Sequence, residues 1–576
     1  MPKRSSIIPA KVIDLRSGEY LDSWKSIASY LGREVRTVQR WENTEGLPVR
    51  RHKHRKLATV YAIKSELDSW WKGRETLREP VVEMPASRVR ARLAVLPFED
   101  LSGDPAQEYF SDGLTEEMIA QLARLQPDRL GVIARTTMMQ YRGTKKTIGQ
   151  IGKELGVNYL LEGSVRRADQ RVRITVQLVK VGDQTHLWAE SYERAVEDIL
   201  AIQVEVAKRI ARSLTVELLP GGHAALAPIS TTSAAAHDAY LRGRYCWNKR
   251  SEEDFVKAIE FFQQAAELNP EYAAAHAGLA NCYDTLGWYG ALPAAEAFRK
   301  AKAAAQRALQ IDERLAEAHA ALAYGMHLYE WNWPEIEKEH QRALELDPNH
   351  VTAHHWYSLF LTAMARFEEA FTHMRCALEL DPLSPVLNSH YGWIFYFAGQ
   401  NDRAVEQLQK TVEMEPRFAV GRCFLGLAYE RGKKYAAAIR EFQAAREFSK
   451  GHPMAIASLS HVCGMSGKKA EAKRYLEELL ETSRQRHVSP YFFALAHAGM
   501  GEKELVFEWL EKAFQERSGW LGNLNVEPGF DQVRSDPRFG DLVRRVGLPV
   551  LANVSLPVKR PTPSLGSPSQ CLSTKD

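Results

Sequence analysis

The sequence predicts a multidomain chain: a small winged helix-turn-helix, an α/β layer domain and a long all-α repeat superhelix. Three observations carry this. A length of 576 residues exceeds what one hydrophobic core organises. Prolines, alanines and glycines recur every 34 residues in the carboxyl-terminal half, as at Pro348, Pro382 and Pro416. Two polar stretches without a clear period, Gly73–Arg90 and Pro220–Ser233, punctuate the chain ahead of the repeats. The composition is that of an ordinary globular chain, 45% apolar and 26% charged, and a net charge of +4 implies no strongly charged partner on average.

The amino-terminal element comes first. Trp24, Ile27, Ala28 and Leu31 follow i, i+3, i+4, i+7, one buried helical face that Asp22 or Ser23 can cap. Gly32 supplies the break. A second helix, from about Val35 to Asn43, turns Val35, Val38 and Trp41 inward and Arg33, Arg36, Thr37 and Arg40 outward. Leu47-Pro48-Val49 and the basic stretch Arg50–Lys56 suit a small β wing, and Val60–Trp71 reads as an amphipathic closing helix. Between Arg33 and Lys56 eight cations face three acidic residues. Arg36, Thr37, Gln39 and Arg40 are the candidate base readers, arginine to guanine and glutamine to adenine. Arg33, Arg50, Arg51, Lys53, Arg55 and Lys56 are the candidate phosphate contacts.

Trp24-Lys25-Ser26-Ile27-Ala28, Leu31-Gly32, Arg36-Thr37-Val38-Gln39-Arg40-Trp41-Glu42 and Gly46-Leu47-Pro48 resemble the MerR/excisionase-type winged helix-turn-helix, over residues 20–73. The resemblance implies double-stranded DNA as a partner. Glu34 departs from it: that family usually carries a serine-like cap there, and a glutamate sits where a phosphate would approach. One such module contacts few bases, so a homodimer is expected for tight specific binding. The alternative is a helix-turn-helix that docks to protein rather than DNA.

After a linker at 74–91, the next element alternates strand and helix. Strands are expected at Arg92–Phe98, Leu130–Ala134, Tyr159–Arg166, Arg171–Lys180 and Thr185–Tyr192, and helices at Glu108–Leu125, Thr147–Leu155 and Ile199–Leu218. Leu96-Pro97-Phe98, Phe110-Ser111-Asp112-Gly113-Leu114, Leu161-Glu162-Gly163-Ser164-Val165 and Leu187-Trp188-Ala189-Glu190-Ser191-Tyr192 resemble the TolB-like amino-terminal domain of bacterial regulators, over 92–218. Asp112, Glu116 and Glu117 cluster near a helix start, where acids usually just favour the dipole. Gly143-Thr-Lys-Lys-Thr147 lacks the upstream glycine of a phosphate loop. No nucleophile elbow, zincin, kinase or cyclase signature occurs, so no catalytic residue is assigned and the chain is not read as an enzyme. Ligand sensing, scaffolding and dimerisation stay open for this domain.

A second linker, 219–234, leads to the repeats at 235–548. The 34-residue interval also links Ala343, Ala377, Thr411 and Ala445, and Ala370, Ala404 and Ala438. Small residues let two antiparallel helices approach closely, and proline closes each unit. With Gly392, Gly426, Tyr429 and Phe442 in register, these residues resemble the tetratricopeptide repeat over about 235–515, with an insertion around Trp288–Ala295 and a helical cap at Asp531–Arg545. The resemblance implies a superhelix whose concave groove binds an unidentified protein or peptide. Trp356, Tyr357, Tyr391, Trp393 and Phe395 tempt as groove anchors, but helical repeats bury aromatics at this spacing. His354 and His355 point about 100° apart on a helix and so do not share a metal.

Six cysteines without a CxxC pair suggest buried free thiols. No secretory signal follows Lys3-Arg4, and no apolar run approaches the ~20 residues of a membrane span. Residues 549–576 read as a disordered tail. The expectation is a cytoplasmic, bacterial, DNA-binding transcriptional regulator without metal or cofactor, whose repeats bind a partner; the rival is a repeat scaffold.

Overall fold

The computed structural model describes residues 20–31, 38, 47–52, 59–68, 91–103, 108–123, 129–168, 171–195, 205–206, 209 and 233–551. The chain divides into two units, Met1–Arg88 and Val89–Asp576.

In the first unit, β1 (Tyr20–Leu21) precedes α1 (Trp24–Tyr30), and β2 (Arg50–His52) pairs with β3 (Thr59–Ile63). Ser23 caps α1 through a reciprocal box with Ser26, its hydroxyl accepting from the Ser26 amide at 3.2 Å. The sheet order is β1-β3-β2, antiparallel throughout. Ile27, Ala28, Val38, Leu47, Ala62 and Leu67 form the core, with Trp24 and Leu31 against it.

The closing helix expected over Val60–Trp71 is corrected here. Thr59–Ile63 is a strand, and only residues 64–68 of the described stretch are helical. Val60, Ile63 and Leu67 also fit helical spacing. Val60 and Ala62 are buried at a period of two, β-branched and aromatic residues favour strand, and partners wait on both edges.

The second unit begins with a mixed sheet. Its strands are β4 (Ala91–Val95), β5 (Glu99–Asp100), β6 (Leu130–Val132), β7 (Tyr159–Ala168), β8 (Arg171–Lys180) and β9 (Thr185–Ala195). The order is β6-β4-β7-β8-β9, with β5 also on β7. β4 runs parallel to β6 and β7, whereas β7, β8 and β9 form an antiparallel meander. Along β8, Val172, Ile174, Val176 and Leu178 point inward while Arg171, Arg173 and Thr175 are exposed, the alternation of a half-buried strand. Helices α2 (Glu108–Ala123), α3 (Arg135–Met139) and α4 (Ile148–Leu155) complete the layer. Thr147 caps α4 with Gln150, and Gly156, in the left-handed region at φ 60°, ends it. Strand β5 and helix α3 are additions to the sequence reading. The closing helix expected at Ile199–Leu218 lies mostly outside the described residues.

Eight helical hairpins follow: α5 (Ala234–Asn248) with α6 (Glu252–Leu268), α7 (Ala273–Trp288) with α8 (Ala294–Ile311), α9 (Ala316–Tyr329) with α10 (Trp333–Leu346), and α11 (Val351–Ala363) with α12 (Phe367–Leu380). Then come α13 (Pro385–Phe397) with α14 (Asn401–Met414), α15 (Ala419–Arg431) with α16 (Tyr435–Phe448), α17 (Pro453–Met465) with α18 (Lys469–Gln485), and α19 (Pro490–Met500) with α20 (Lys503–Gln515). The turn inside each hairpin puts one residue in the left-handed region. From the third hairpin on these are Trp331, Ala365, Gly399, Lys433, Gly467 and Gly501, each 34 after the last. Small residues let the two helices close: a β-carbon on Gly426 would lie 2.5 Å from the ring of Phe442.

First and second helices differ in kind. In α13 all but one residue from Ser389 to Phe397 is buried, but in α14 only Ala404, Leu408 and Thr411 are. Second helices show one face to solvent; the first helices α11, α13, α17 and α19 are covered nearly all round. Two 3₁₀ turns, Gly519–Asn523 and Pro528–Phe530, and helix α21 (Pro537–Val546) close the array.

Candidate nucleic-acid interface and repeat inner face

Hairpin β2–β3 sets Arg50 opposite Tyr61 and Arg51 opposite Val60, where a wing was expected. The Arg50 guanidinium donates to Glu66 at 2.7 Å, both partly exposed, so a phosphate would compete with that carboxylate. Tyr30 donates to Asp68 at 2.9 Å, and that carboxylate holds its phenol above the ordinary range. Val38, in helical conformation, is buried, as an inward residue of a second helix should be. Arg33, Arg36, Thr37, Gln39, Arg40, Lys53, Arg55 and Lys56 lie outside the described residues, and Arg51 is described in its backbone alone.

The acidic cluster of the α/β domain is a joint between α2 and the first hairpin. Arg244 of α5 donates to Glu116 at 2.7 Å and to Glu317 at 2.8 Å, and Asn248 donates to Glu116 at 2.9 Å. Arg135 reaches Asp112 at 2.9 Å, and Arg142 also pairs with Asp112. Burial works against ionised Glu116, yet Arg244 and Arg135 together hold its pKa below the usual value. Burial wins at Asp112, whose pKa is raised despite its arginines. These carboxylates are consumed in pairing rather than left for proton transfer.

A second joint links the edge of β6 to two turns of the repeats. The Thr137 amide and hydroxyl donate to one Asp381 oxygen at 2.8 and 2.7 Å, and the Leu383 amide donates back to that hydroxyl at 2.9 Å. The Ala134 amide donates to the Leu380 carbonyl at 2.7 Å, and Asn349 to the Leu130 carbonyl at 3.2 Å. Burial pushes Asp381 up to about 6 against the pull of these hydrogen bonds. Sequence reasoning missed this joint; Thr137 and Asp381 stand 244 residues apart, and no local pattern pairs them.

The groove expected to take a partner protein or peptide is corrected next: residues 518–548 of this chain cover the inner face. Trp520 lies 5.3 Å from Trp288, 5.2 Å from Phe492 and 6.5 Å from Trp393, ring to ring. Asn525 donates to the Ala363 carbonyl at 3.1 Å. Glu527 accepts from Tyr396 at 3.1 Å and from the Gly529 amide at 3.0 Å. His461 donates to the Gly529 carbonyl at 3.2 Å and meets Glu430 at 2.7 Å. Burial disfavours its charge, but Glu430 outweighs burial and raises its pKa. Trp333 donates to the Val546 carbonyl at 2.9 Å. On α13, α17 and α19 this segment covers the apolar side that a groove would expose. The array also returns on itself: Arg486 pairs with Glu252 at 2.9 Å, and His452 donates to the Tyr289 carbonyl at 3.1 Å.

Trp356, Tyr357, Trp393 and Phe395 are core residues, 6% exposed or less, and Tyr391 is half-buried beside them. His354 meets His373 at 2.9 Å while His355 turns to His390, ring centroids 4.8 Å apart. Among the described residues no group of three or more His, Cys, Asp or Glu could hold a metal ion. Cys246, Cys282, Cys423 and Cys463 are buried free thiols, and no described helix is long and apolar enough to cross a membrane.

Residues 89–209 match the second domain of HilA/YgeH-like transcriptional regulators, and residues 249–289 match the tetratricopeptide repeat. The mixed sheet therefore lies within the residues matched to a regulator domain. A Rhizobium meliloti (strain 1021) protein, named only provisionally as adenylate cyclase 3, is 35% identical over 275 residues, covering 46% of each chain. The transcriptional regulator HilA of Salmonella typhimurium (strain LT2) is 23% identical over 352 residues, 61% of this chain and 56% of that one. This chain thus spans about half the length of the curated relatives it matches. Among solved structures, Pseudomonas aeruginosa pilF aligns with a TM-score of 0.28 at 20% identity, over 36% of this chain and 93% of its own. Taken together, the matches make this chain a multidomain protein with a HilA/YgeH-like regulator domain and tetratricopeptide repeats.

Proposed function

We propose that the chain is a DNA-binding transcriptional regulator: a MerR-type winged helix-turn-helix head, a TolB-like α/β domain and repeats that dock a partner protein. The observation that carries this reading is the match of 89–209 to a regulator domain, directly following a head with eight cations between Arg33 and Lys56. The β2–β3 hairpin, with Arg50 on an exposed edge, supports a wing beside the duplex. The inner face of the repeats is already filled, so the outer faces of the second helices are the surface for a partner. Both matched family models are non-enzymatic in description, and the cyclase name of one relative is not carried over to this chain. Binding as a homodimer in the cytoplasm fits the reading.

Selection of bound fragments from random duplex DNA tests it. An enriched motif is expected, lost on replacing Arg36 and Arg40 together with alanine. A pool without enrichment, or binding indifferent to that double substitution, would sink the specific-regulator reading. A pull-down partner lost on deleting 20–73 but kept without the repeats would point to a head that docks to protein.

A further inference from the structure

The turn of the second hairpin is longer than its neighbours. Helix α7 ends at Trp288 and α8 begins at Ala294, which leaves five residues, 289 to 293; α11 and α12 leave three, 364 to 366. Gly290, at φ 66°, lets the extra chain fold back. Closing a hairpin does not require this insertion, since three residues suffice elsewhere.

The insertion borders a cavity of about 330 Å³, at the seam where the array returns on itself. The other walls come from the end of α9, the start of α19 and the segment after α20. These walls are closely packed. A β-carbon on Gly287 would lie 2.7 Å from the Phe298 ring, and one on Gly519 would lie 2.8 Å from the Leu328 carbonyl oxygen. Loose packing therefore does not explain the hollow, and interiors leave few voids larger than a water molecule. A volume of this order suits a small ligand.

The lining indicates its chemistry. Six aromatic side chains border the cavity: Trp288, Tyr289, Phe298, Tyr329, Phe492 and Trp520. Trp520 bridges Trp288 and Phe492, with ring centroids 5.3 and 5.2 Å away, and Phe298 lies 5.9 Å from Tyr329. Among the described residues that line it, none is lysine or arginine, and Glu516 is the one acid. Nearby cations are engaged elsewhere: Arg517 lies over the Trp331 ring at 5.1 Å, and Arg486 pairs with Glu252 at 2.9 Å. Among the described residues no lysine or arginine lies over any of the six rings. Ser489 and Ser518 bond to each other at 2.7 Å, and the Tyr289 carbonyl accepts from His452. Glu516 is exposed and has no hydrogen bond or ion pair among the described residues. Aromatic rings attract cations, and a carboxylate adds to that attraction; an anion would meet Glu516 and no compensating charge. We propose that this cavity binds a small organic cation, an ammonium or quaternary ammonium group on an aromatic body. The rings and Glu516 receive the charge, and the aromatic walls cover the body. The site is independent of how the head is used.

Three probes of similar size, titrated calorimetrically into the full chain at constant ionic strength, test the charge. They are phenyltrimethylammonium, the neutral 2-phenyl-2-propanol and the anion benzoate, at about pH 8, where a free imidazole is neutral and His487 adds no charge of its own. The cation is expected to saturate and to raise the thermal midpoint. The alcohol should bind roughly fivefold or more weaker, the share a cation–π contact supplies, and benzoate weaker still. Trp288→Leu should weaken the cation by roughly fivefold or more, and Glu516→Gln by about two- to fivefold. Glu447→Gln, an exposed acid on α16 outside the cavity, should change nothing. Should Trp288→Leu fail to fold, Glu516→Gln decides alone, because an exposed side chain is not part of the core. Failure of the cation to saturate overturns the proposal, as does equal or tighter binding of the alcohol or of benzoate. Affinity unchanged in both variants, or in Glu516→Gln where it decides alone, also overturns it.

Discussion

Lys433 occupies a turn with φ 58°, where a β-carbon crowds the backbone and glycine does not. Gly399, Gly467 and Gly501 hold the same position in neighbouring hairpins, so Lys433 is the strained version of a shared device. Lys433→Gly is expected to stabilise the chain by about 1 kcal/mol, read as a higher midpoint in urea. A lower midpoint would mean that the lysine side chain contributes more than its backbone costs. Asp381 carries a different cost. Its folded pKa of about 6 exceeds the ordinary 3.8, so the folded chain holds the proton more tightly than the unfolded one. The stability it contributes is full below the unfolded value and is lost as pH rises through about 6. Asparagine keeps an oxygen for Thr137 and has no proton to lose. Asp381→Asn should therefore gain on the natural chain between pH 4.5 and 7.5, by up to about 3 kcal/mol in denaturant titrations. A difference that does not move with pH would mean that Asp381 titrates normally.

Among elements, the first and second helices of each hairpin explain one another. Second helices are amphipathic and could pack against any neighbour; first helices such as α13 and α17 are apolar nearly all round and need two covers. One cover is the second helix. The other, through much of the array, is the segment Ser518–Leu548. Phe530 is fully buried there, edge-on to Tyr491 at 5.4 Å. Phe530→Ala is expected to cost about 3–5 kcal/mol, as for other large core aromatics. The same variant should bind a dye for exposed apolar surface. A cost below 1 kcal/mol would instead describe a loosely laid tail that a partner could displace. Strand β3 teaches the converse. Its residues satisfied a helical spacing as well as an alternating one, and only the flanking strands β1 and β2 broke the tie.

Across the whole molecule, the α/β domain and the repeats form one unit through buried hydrogen bonds, and the head forms another. Removing residues 1–88 should leave the thermal unfolding of the remainder unchanged while abolishing retention on DNA. Retention by the shortened chain would move the DNA contact to the second unit. In the full chain, about five phosphate contacts predict a log-log salt slope of roughly −4 to −5. The Arg50–Glu66 pair argues for the shallower end, because its carboxylate must first be displaced. Sequence by itself determined the repeat register, because a 34-residue period is written in the local needs of each hairpin: a small residue at a close approach, a left-handed turn, a closing proline. It determined five of the six strands of the α/β domain, all but β5, for the same reason, since alternation along β8 is local. Only tertiary structure decided that Asp112 and Glu116 belong to a joint, that Thr137 meets Asp381, and that the inner face is filled by the chain's own carboxyl-terminal segment. Those contacts join residues tens to hundreds of positions apart, so their partners are chosen by how surfaces fit in space, which no local period encodes.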